Sequence, residues 1–274
     1  MSQATKAKPA PAPLARAVFD KRILFLLKTA QALPARRYAM HGMRIEPLED
    51  GTGTRAVTTN GKALCALTRS LERPRTHDSP ERIPGLRSFG FVASSESIRK
   101  MFKGAKGKDA RDLEGCERLE EAFPPFDDIL RPLMGDLEKT HVSARADTAP
   151  LIGVLKAFAA FAPYTQAAQF DLEQGKAIIT AKDPELGILS ADTCALRLET
   201  VWAEDVAPLG LNPSLLLDCI AALQAVGPAK GSKVPPSISI DWPRDGKAPM
   251  VIRHKGSDEQ SIIVILMPLD LERI

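Results

Sequence analysis

The sequence contains few cysteines, little net charge and no long apolar run, and each shortage excludes a class of protein. Its four cysteines are Cys65, Cys116, Cys194 and Cys219. They are far apart and form no Cys-x-x-Cys pair, which argues against a disulfide scaffold and favours reduced thiols in the cytoplasm. The longest apolar run, at 262–268, suits a strand, because a membrane-spanning helix needs about 20 residues. We therefore expect a cytoplasmic protein without a membrane partner.

The chain also lacks the residue spacings that enzymes use. Its four histidines are His41, His77, His141 and His254. They lie in unrelated stretches, with no nucleophile–base pair or metal-ligand spacing around them. The segment 103–108 is rich in glycine and lysine but lacks the Gly-x-x-x-x-Gly-Lys-Ser/Thr spacing of a phosphate loop. We interpret the adjacent Asp127 and Asp128 as exposed turn residues, and we expect no enzyme, no cofactor and no metal.

The net charge is only +3, so charge as a whole favours no particular partner. The most basic segment carries Arg99, Lys100, Lys103, Lys106, Lys108 and Arg111. Such a cluster is either a solvated helix face or a surface for the phosphates of a duplex, which would be bound independently of sequence. The charge pattern by itself leaves both interpretations open.

One helix-plus-strand pattern occurs twice in the sequence, about 130 residues apart. Leu26-Leu-Lys28 in the first copy aligns with Val154-Leu-Lys156 in the second, and repeats of this kind determine the architecture. Ser94 or Ser95, and later Asn212, are N-cap candidates for two further helices. The predicted helix and strands are 18–33 with 38–45 and 55–68 in the first copy, and 150–161 with 168–172 and 176–182 in the second.

These patterns predict an α+β fold made of repeated helix-plus-antiparallel-strand units in two domains. The expected segments are a disordered tail at 1–16 and domains at 17–130 and 131–274. Phe123-Pro-Pro-Phe126 cannot lie inside a helix or a central strand, because proline lacks the backbone donor. We expect it to be the joint between the domains. Further strands are predicted at 89–93, 196–202, 238–242, 250–253 and 261–267.

Five short motifs follow one another along residues 17–271. They are Arg37-Tyr-Ala-Met-His-Gly-Met43, Val57-Thr-Thr-Asn-Gly-Lys-Ala-Leu64, Phe123-Pro-Pro-Phe-Asp-Asp-Ile-Leu130, Leu209-Gly-Leu-Asn-Pro-Ser-Leu-Leu-Leu-Asp218 and Ile265-Leu-Met-Pro-Leu-Asp-Leu271. In this order they resemble motifs of the bacterial β sliding clamp family, the processivity subunit of DNA polymerase III. The resemblance covers the second and third domains of a clamp subunit and implies the DNA-clamp fold.

The resemblance implies a ring of repeated domains with helices facing the central hole and sheets outside. Basic residues on the helices would then face double-stranded DNA without reading its bases. The residues placed there are Lys21, Arg22, Lys28, Arg99, Lys100, Lys103 and Lys156.

The family also binds DNA polymerase and other partner proteins through a short peptide that enters one apolar cleft. Carried over by motif, the cleft would consist of Met40, Thr59, Gly61, Leu64, Pro124, Ile129, Pro249, Ile265, Met267, Pro268 and Leu269. Mobile methionine side chains suit a groove that accepts several peptides. Without the resemblance, Met40, Ile265 and Met267 would be read as ordinary core residues.

The chain departs from the family in its length. A clamp subunit has three domains and this chain resembles two, so a closed ring would need a homo-oligomer, possibly a trimer, or another partner chain. The segment between Lys106 and Phe123 is also too short for the strands that the family places there. Two functions therefore stay open. One is a processivity clamp that encircles DNA, and the other is a non-encircling adaptor or inhibitor that binds clamp-motif peptides or DNA.

Overall fold

The computed structural model describes residues 17–30, 38–48, 53–70, 90–106, 109–161, 167–173, 176–183, 185–193, 196–198, 206–223, 226, 237–255 and 260–271. Some predicted features lie outside these ranges and stay predictions. They are the tail at 1–16, the end of the helix expected at 18–33, Arg37, His77, Lys108, Cys194 and the end of the strand expected at 196–202.

Within the described ranges the chain forms short strands and helices in alternation. The strands are β1 (Val18–Asp20), β2 (Gly42–Pro47), β3 (Gly53–Thr59), β4 (Ala63–Ser70), β5 (Phe91–Ser94), β6 (Ala110–Asp112), β7 (Arg118–Leu119), β8 (His141–Asp147), β9 (Ala168–Glu173), β10 (Lys176–Asp183), β11 (Gly187–Thr193), β12 (Leu196–Leu198), β13 (Leu209–Leu211), β14 (Ser237–Pro243), β15 (Met250–Lys255) and β16 (Gln260–Leu266). The helices are a 3-10 helix at Lys21–Thr29, called the N-terminal helix below, a 3-10 turn at Leu113–Gly115, and the α-helices α1 (Ser95–Met101), α2 (Asp127–Thr140), α3 (Thr148–Phe161) and α4 (Pro213–Ala222).

The repeating unit is a strand, a helix and three antiparallel strands. It occurs as β1 to β4, as β8 to β11 and as β13 to β16, each with its helix after the first strand. Ile23 and Leu27 on the N-terminal helix are buried, and so are Leu151 and Leu155 at the matching positions of α3. The second unit begins with β5 and α1 but continues only into β6 and β7, which have three and two residues. The described part of this unit thus has two very short strands where the other units have three longer ones.

The α+β prediction and its repeated units are confirmed, but two local predictions are wrong. The helix expected at 18–33 begins later, because residues 18–20 pair with β6 and Asp20 caps the helix by accepting from the Arg22 N–H at 2.9 Å. Asp127 and Asp128 are not turn residues. They form the first turn of α2, where carboxylates interact favourably with the helix dipole.

A ten-stranded sheet runs through both halves of the chain, in the order β12-β8-β14-β15-β16-β4-β3-β2-β5-β7. Its halves meet where β16 pairs with β4, from Gln260 opposite Arg69 to Leu266 opposite Ala63. This β4–β16 pairing is called the seam below. A second sheet has the order β11-β10-β9-β13, and β1 pairs with β6 in a third. The predicted domain boundary between residues 130 and 131 falls inside α2 and stays a prediction, since the sheet crosses it.

The helices lie on two sides of the ten-stranded sheet. The N-terminal helix packs on β3 and β4 and contacts α4, which in turn contacts α3. Their apolar faces join the main core, which extends from Ala17 to Leu266. α2 lies on the opposite face, over a separate cluster that contains Leu64 and Ile265 of the seam. The seam is therefore covered on both faces, by the helix layer inside and by α2 outside.

Candidate functional site

The tight turn between β3 and β4 is held by side-chain hydrogen bonds. Thr59 Oγ1 donates to the Ala63 carbonyl at 2.7 Å and accepts from the Gly61 N–H at 3.1 Å. Asn60 Oδ1 accepts from the N–H groups of Lys62 and Ala63 at 3.0 and 2.8 Å. Gly61 has a φ of 83°, a conformation that glycine adopts without steric cost. The turn is therefore fixed from within, as the Asn-Gly sequence predicts.

The segment after β16 runs alongside this turn. The Met267 N–H donates to the Lys62 carbonyl at 2.8 Å, and the Leu269 N–H donates to the Gly210 carbonyl at 2.8 Å. Met40 approaches from the other side, with its Sδ 3.9 Å from the position that a Cβ on Gly61 would take. Backbone hydrogen bonds thus hold Met267 beside the turn and Leu269 beside β13, with Pro268 between them.

An apolar cluster under α2 forms the floor of this region. Leu64 and Ile265 face each other across the seam and are only 7% and 2% exposed. Phe126 and Leu130 of the α2 region pack on them, together with Val57 and Ala66 of the sheet. Phe123, Leu133, Met134 and Ile263 surround this cluster. The motif-based prediction included Leu64 and Ile265 but missed Phe126 and Leu130, whose spacing of four residues is typical of one helix face.

Arg55 fixes the start of α2 against the sheet. Its guanidinium donates to Glu46 Oε1 at 3.0 Å through Nε and to Asp127 Oδ1 at 3.0 Å through Nη2. The same group lies 4.8 Å from the centre of the Phe126 ring, close enough for a cation–π interaction. Arg55 stands among small and polar residues of β3, Gly-Thr-Arg-Ala-Val-Thr-Thr, so the sequence contains no signal of these partners.

Two large apolar side chains stay exposed next to this floor. Ile129 on α2 is 50% exposed and Met267 is 41% exposed. Pro124 is half-buried before α2, and Pro249 precedes Met250, which pairs with Leu266 one position before Met267. The fold therefore brings the predicted cleft residues to one end of the seam, although Thr59, Leu64 and Ile265 are buried. Their role in binding a peptide stays a prediction.

The predicted DNA-facing cations differ in their surroundings. Lys21, Lys28, Arg99, Lys103 and Lys156 are exposed. Lys21 Nζ donates to the Ala105 carbonyl at 3.1 Å, and Lys28 Nζ lies 4.0 Å from Asp218 Oδ1. Arg22 is partly buried, and its Nε donates to both carboxylate oxygens of Asp20 at 3.0 Å. Most of these cations are thus exposed, on or next to the N-terminal helix, α1 and α3, whereas Arg22 is paired with Asp20. Their contact with DNA stays a prediction.

Carboxylates interrupt this basic surface. Lys100 pairs with Glu96 at 2.7 Å, and this hydrogen bond lowers the pKa of Glu96 and raises the pKa of Lys100. Asp218 on α4 is partly buried, and burial raises the pKa of its carboxyl while nearby Lys28 partly opposes that shift. Any phosphate backbone on this surface would meet cations and carboxylates side by side, which weakens its attraction.

The described residues contain neither a metal-binding cluster nor a membrane-spanning helix. No group of three or more His, Cys, Asp and Glu side chains among them is arranged to hold a metal ion. Of the helices in the described ranges, none has both the length and the hydropathy to span a bilayer.

Solved structures of bacterial sliding clamps share this arrangement of units, sheets and helices. The DNA polymerase III beta subunit of Thermotoga maritima matches 99% of this chain and 70% of its own, with a TM-score of 0.67 and 14% identity. The chain has the clamp fold. The Pseudomonas aeruginosa sliding clamp matches 96% of this chain and 69% of its own, with a TM-score of 0.66 and 16% identity. The Helicobacter pylori beta clamp in complex with diflunisal matches 97% and 69%, with a TM-score of 0.65 and 14% identity.

The resemblance of the five motifs to the clamp family is thereby confirmed at the level of the fold. No protein-family model matches the sequence, and no curated protein matches it. The chain corresponds to about 70% of the length of the T. maritima clamp. Within the described residues, the second unit differs from the other three units of this chain, because its strands β6 and β7 have only three and two residues.

Proposed function

We propose that this protein is a clamp-like, non-enzymatic processivity factor of the cytoplasm, which tethers DNA polymerase or other partner proteins to duplex DNA. The observation that carries the proposal is the position of Ile129 and Met267. These exposed apolar side chains border the seam, where the two halves of a clamp fold meet. Partners would insert a short apolar peptide there, and the helix layer would lie against the duplex.

The peptide site is supported by buried, fixed side chains at its base and by flexible methionine side chains at its sides. Leu64 and Ile265 are buried beneath the site. The hydrogen bonds of Thr59 with Ala63 and Gly61 fix the turn that precedes Leu64. Met267 and Met40 are flexible thioethers, which adapt to different apolar side chains. An entering pair of apolar side chains would cover Ile129 and Met267, and burial of apolar surface contributes roughly 25 cal/mol per Å².

The physical case for the DNA surface rests on charge. Lys21, Lys28 and Lys156 are exposed on helices of one layer, and lysines contact phosphates without reading the sequence. Glu96 and Asp218 lie among the cations. We therefore expect weak, salt-sensitive and sequence-independent binding, which suits a protein that slides along its duplex.

The peptide site is tested with a fluorescein-labelled heptapeptide that contains an adjacent Leu–Phe pair, followed by fluorescence anisotropy. We expect Met267→Ala and Ile129→Ala each to weaken its binding by about tenfold, because each removes one apolar wall. Diflunisal, the molecule bound in the H. pylori clamp structure, serves as a small competitor. Leu186→Ala is the matched control, since Leu186 is a similarly exposed apolar residue away from the seam.

Two outcomes would contradict the peptide site. One is an unchanged affinity in the Met267→Ala/Ile129→Ala double variant. The other is an equal loss in Leu186→Ala, which would indicate nonspecific adhesion of the peptide to exposed apolar side chains.

The DNA surface is tested by measuring duplex affinity at several salt concentrations. Lys28→Glu and Lys156→Glu should each reduce the slope of log K against log salt by about one, because each removes a phosphate contact. Lys139→Glu is the control, since Lys139 is an exposed lysine on α2, on the opposite face of the sheet. An equal effect of all three substitutions would mean that the helix layer is not the binding surface.

A second candidate is a non-encircling adaptor or inhibitor of the same fold, and the short second unit favours it. A ring needs a sheet edge at both ends of the chain, and β6 at one end has only three residues. Retention on closed circular DNA followed by loss after linearisation would indicate encirclement. Equal retention on circular and linear duplexes would identify the adaptor.

A further inference from the structure

Exposed carboxylates surround the proposed peptide site. They belong to the segment before α2, to α2 itself and to the segment after β16. This set, called the acidic rim below, consists of Glu120, Glu121, Asp128 and Asp270. Because the segment after β16 contributes to it as well as α2, the negative charge is gathered around the site by the fold.

Asp128 supplies the charge on α2. It lies in the first turn of the helix, directly before Ile129, and is exposed. Its neighbour Asp127 is partly buried and accepts from Arg55 Nη2 at 3.0 Å. The N-terminus of a helix carries about half a positive charge, which is less than the full negative charge of the Asp128 carboxylate. The wall next to Ile129 is therefore negative on balance.

The two glutamates of the acidic rim lie near Met40. They directly precede Ala122, whose carbonyl accepts from the N–H of Ala39, the neighbour of Met40, at 3.0 Å. The rings of Phe123 and Phe126 meet edge to face, with their centroids 6.0 Å apart. These contacts hold the glutamates beside Met40 and close to the start of α2.

Asp270 adds negative charge beyond Met267. It is exposed and follows Met267 by three residues, so the two Cα atoms are at most about 11 Å apart. The Debye length is about 10 Å at 0.1 M salt and longer in more dilute solution. The Asp270 carboxylate therefore acts on a peptide that covers Met267 when the salt concentration is low.

The exposed cations of the same segments do not balance the acidic rim. Within residues 38–41, 59–64, 120–131 and 265–271, all of which the structure describes, they are Lys62 and Arg131. Four exposed carboxylates thus face two exposed cations, whereas the whole chain has a net charge of +3. The surroundings of the site therefore have the opposite sign to the chain as a whole.

We propose that the partner peptide of this site carries lysine or arginine residues beside its apolar pair. The inference rests on the proposed function and specifies the class of peptide that the site accepts. The apolar pair covers Ile129 and Met267, and the flanking cations then reach the acidic rim. Opposite charges at the edge of an interface speed association and exclude wrong partners. The same carboxylates repel the phosphates of a duplex, so DNA does not compete for this site.

The test compares three fluorescein-labelled heptapeptides that share a Leu–Phe pair and carry lysine, serine or glutamate on both sides of it. In fluorescence anisotropy at about 0.05 M salt, the lysine peptide should bind the full chain at least about tenfold more tightly than the glutamate peptide. At 1 M salt the Debye length is only about 3 Å, so this ratio should fall below about threefold. A lysine peptide with Ala–Ala in place of Leu–Phe is the control for binding by charge alone and should bind at least about tenfold more weakly.

Single substitutions locate the preference on the surface. Asp128→Lys and Glu121→Lys should each lower the ratio of lysine-peptide to glutamate-peptide affinity by about threefold or more, because each removes one attraction and adds one repulsion. Asp128→Asn keeps the shape of the side chain and should lower the ratio by a smaller factor. All three should leave the affinity for the serine peptide within about twofold. Glu138→Lys is the matched control and should leave the ratio unchanged, since Glu138 is exposed on α2 about 15 Å further along the helix.

Equal affinities of the lysine and glutamate peptides at low salt would overturn this inference. The serine peptide would still bind in a way that depends on Met267 in that case, so the proposed function would stand. An equal loss of preference in Glu138→Lys and Asp128→Lys would also overturn it, because the preference would then follow overall charge. Equal binding of the Leu–Phe and Ala–Ala lysine peptides would do the same. Failure of every peptide to bind, the serine peptide included, would refute the proposed function and this inference with it.

Discussion

β4 and β11 are the same strand of the repeating unit, yet one lies in the middle of a ten-stranded sheet and the other lies at the edge of a four-stranded sheet. Leu64 on β4 is 7% exposed, whereas Ile188 at the matching position of β11 is 68% exposed. Each strand pairs antiparallel with the strand before it, and each has a glycine with positive φ at or near its start. The difference therefore arises from what lies on the outer edge, and it shows that a repeat preserves local structure without preserving burial.

β4 and β11 also differ in what packs on the outer face of each strand. α2 places Phe126 and Leu130 over Leu64 and Ile265, and Arg55 ties the start of α2 to the sheet through Asp127. On the inner face, α4 contacts β4 while α3 contacts β11. β4 is thus enclosed on both faces and both edges. β11 is enclosed only by β10 and by the core on its inner face, as far as the described residues show.

The largest expected effect compares the two matched side chains. Leu64→Ala should lower the free energy of unfolding by about 2–4 kcal/mol, because it leaves a cavity under α2. Ile188→Ala should change it by less than about 0.5 kcal/mol, since an exposed side chain leaves no cavity. Urea unfolding at low protein concentration measures both. Equal losses would mean that the two strands are similarly enclosed.

Substitution of the two turn glycines should show where β4 and β11 are alike. Gly61→Ala and Gly187→Ala should each cost about 1–2 kcal/mol, because both residues have positive φ and a side chain disfavours that conformation. A Cβ at Gly61 would meet only Met40 Sδ at 3.9 Å, and one at Gly187 would meet nothing within 4 Å. Thermal unfolding of the two variants should therefore agree within about 0.5 kcal/mol. A much larger cost at Gly61 would indicate strain specific to the seam.

The smallest expected effect concerns the helices behind the two strands. Burial raises the pKa of Asp218 on α4, so the folded protein binds this proton more tightly than the unfolded chain does. Ionisation therefore destabilises the fold above the raised pKa, and the penalty disappears as the pH falls below the unfolded pKa of about 4. Asp218→Asn should raise stability at neutral pH by roughly a few tenths of a kcal/mol, since the carboxylate is half-exposed. Unfolding measured from pH 4 to pH 8 should show a difference that shrinks in acid, and a growing difference in acid would contradict it.

Two cysteines near the seam form a contact that the sequence does not predict. The sequence indicates only that Cys65 and Cys219 are reduced thiols far apart along the chain. The fold places Cys219 of α4 against Cys65 of β4, and that contact together with complete burial raises the pKa of the Cys219 thiol. No local pattern predicts such a meeting, because it joins a strand of the first half to a helix of the second.

Helix caps, turns and several strands could be predicted from the sequence, because neighbouring residues determine them. Ser94 and Asn212 cap α1 and α4 as expected, the Asn60-Gly61 turn joins β3 to β4, and the strands expected at 238–242, 250–253 and 261–267 became β14, β15 and β16. β8, β11 and β13 were missed, since each is short or mixed in polarity. α2 was missed because Pro132 and the preceding prolines indicated a joint.

The sequence by itself determined the repeating unit, its caps and its turns, because hydrogen bonds and apolar spacing within a few residues specify them. Only the tertiary structure decided that β4 meets β16, that α2 covers this seam and that β11 lies at the edge of its sheet among the described residues. Side-chain alternation is the same for a paired strand and an edge strand. The partner on the outer edge of β4 is β16, which comes from nearly 200 residues away, so no pattern of neighbouring residues specifies it.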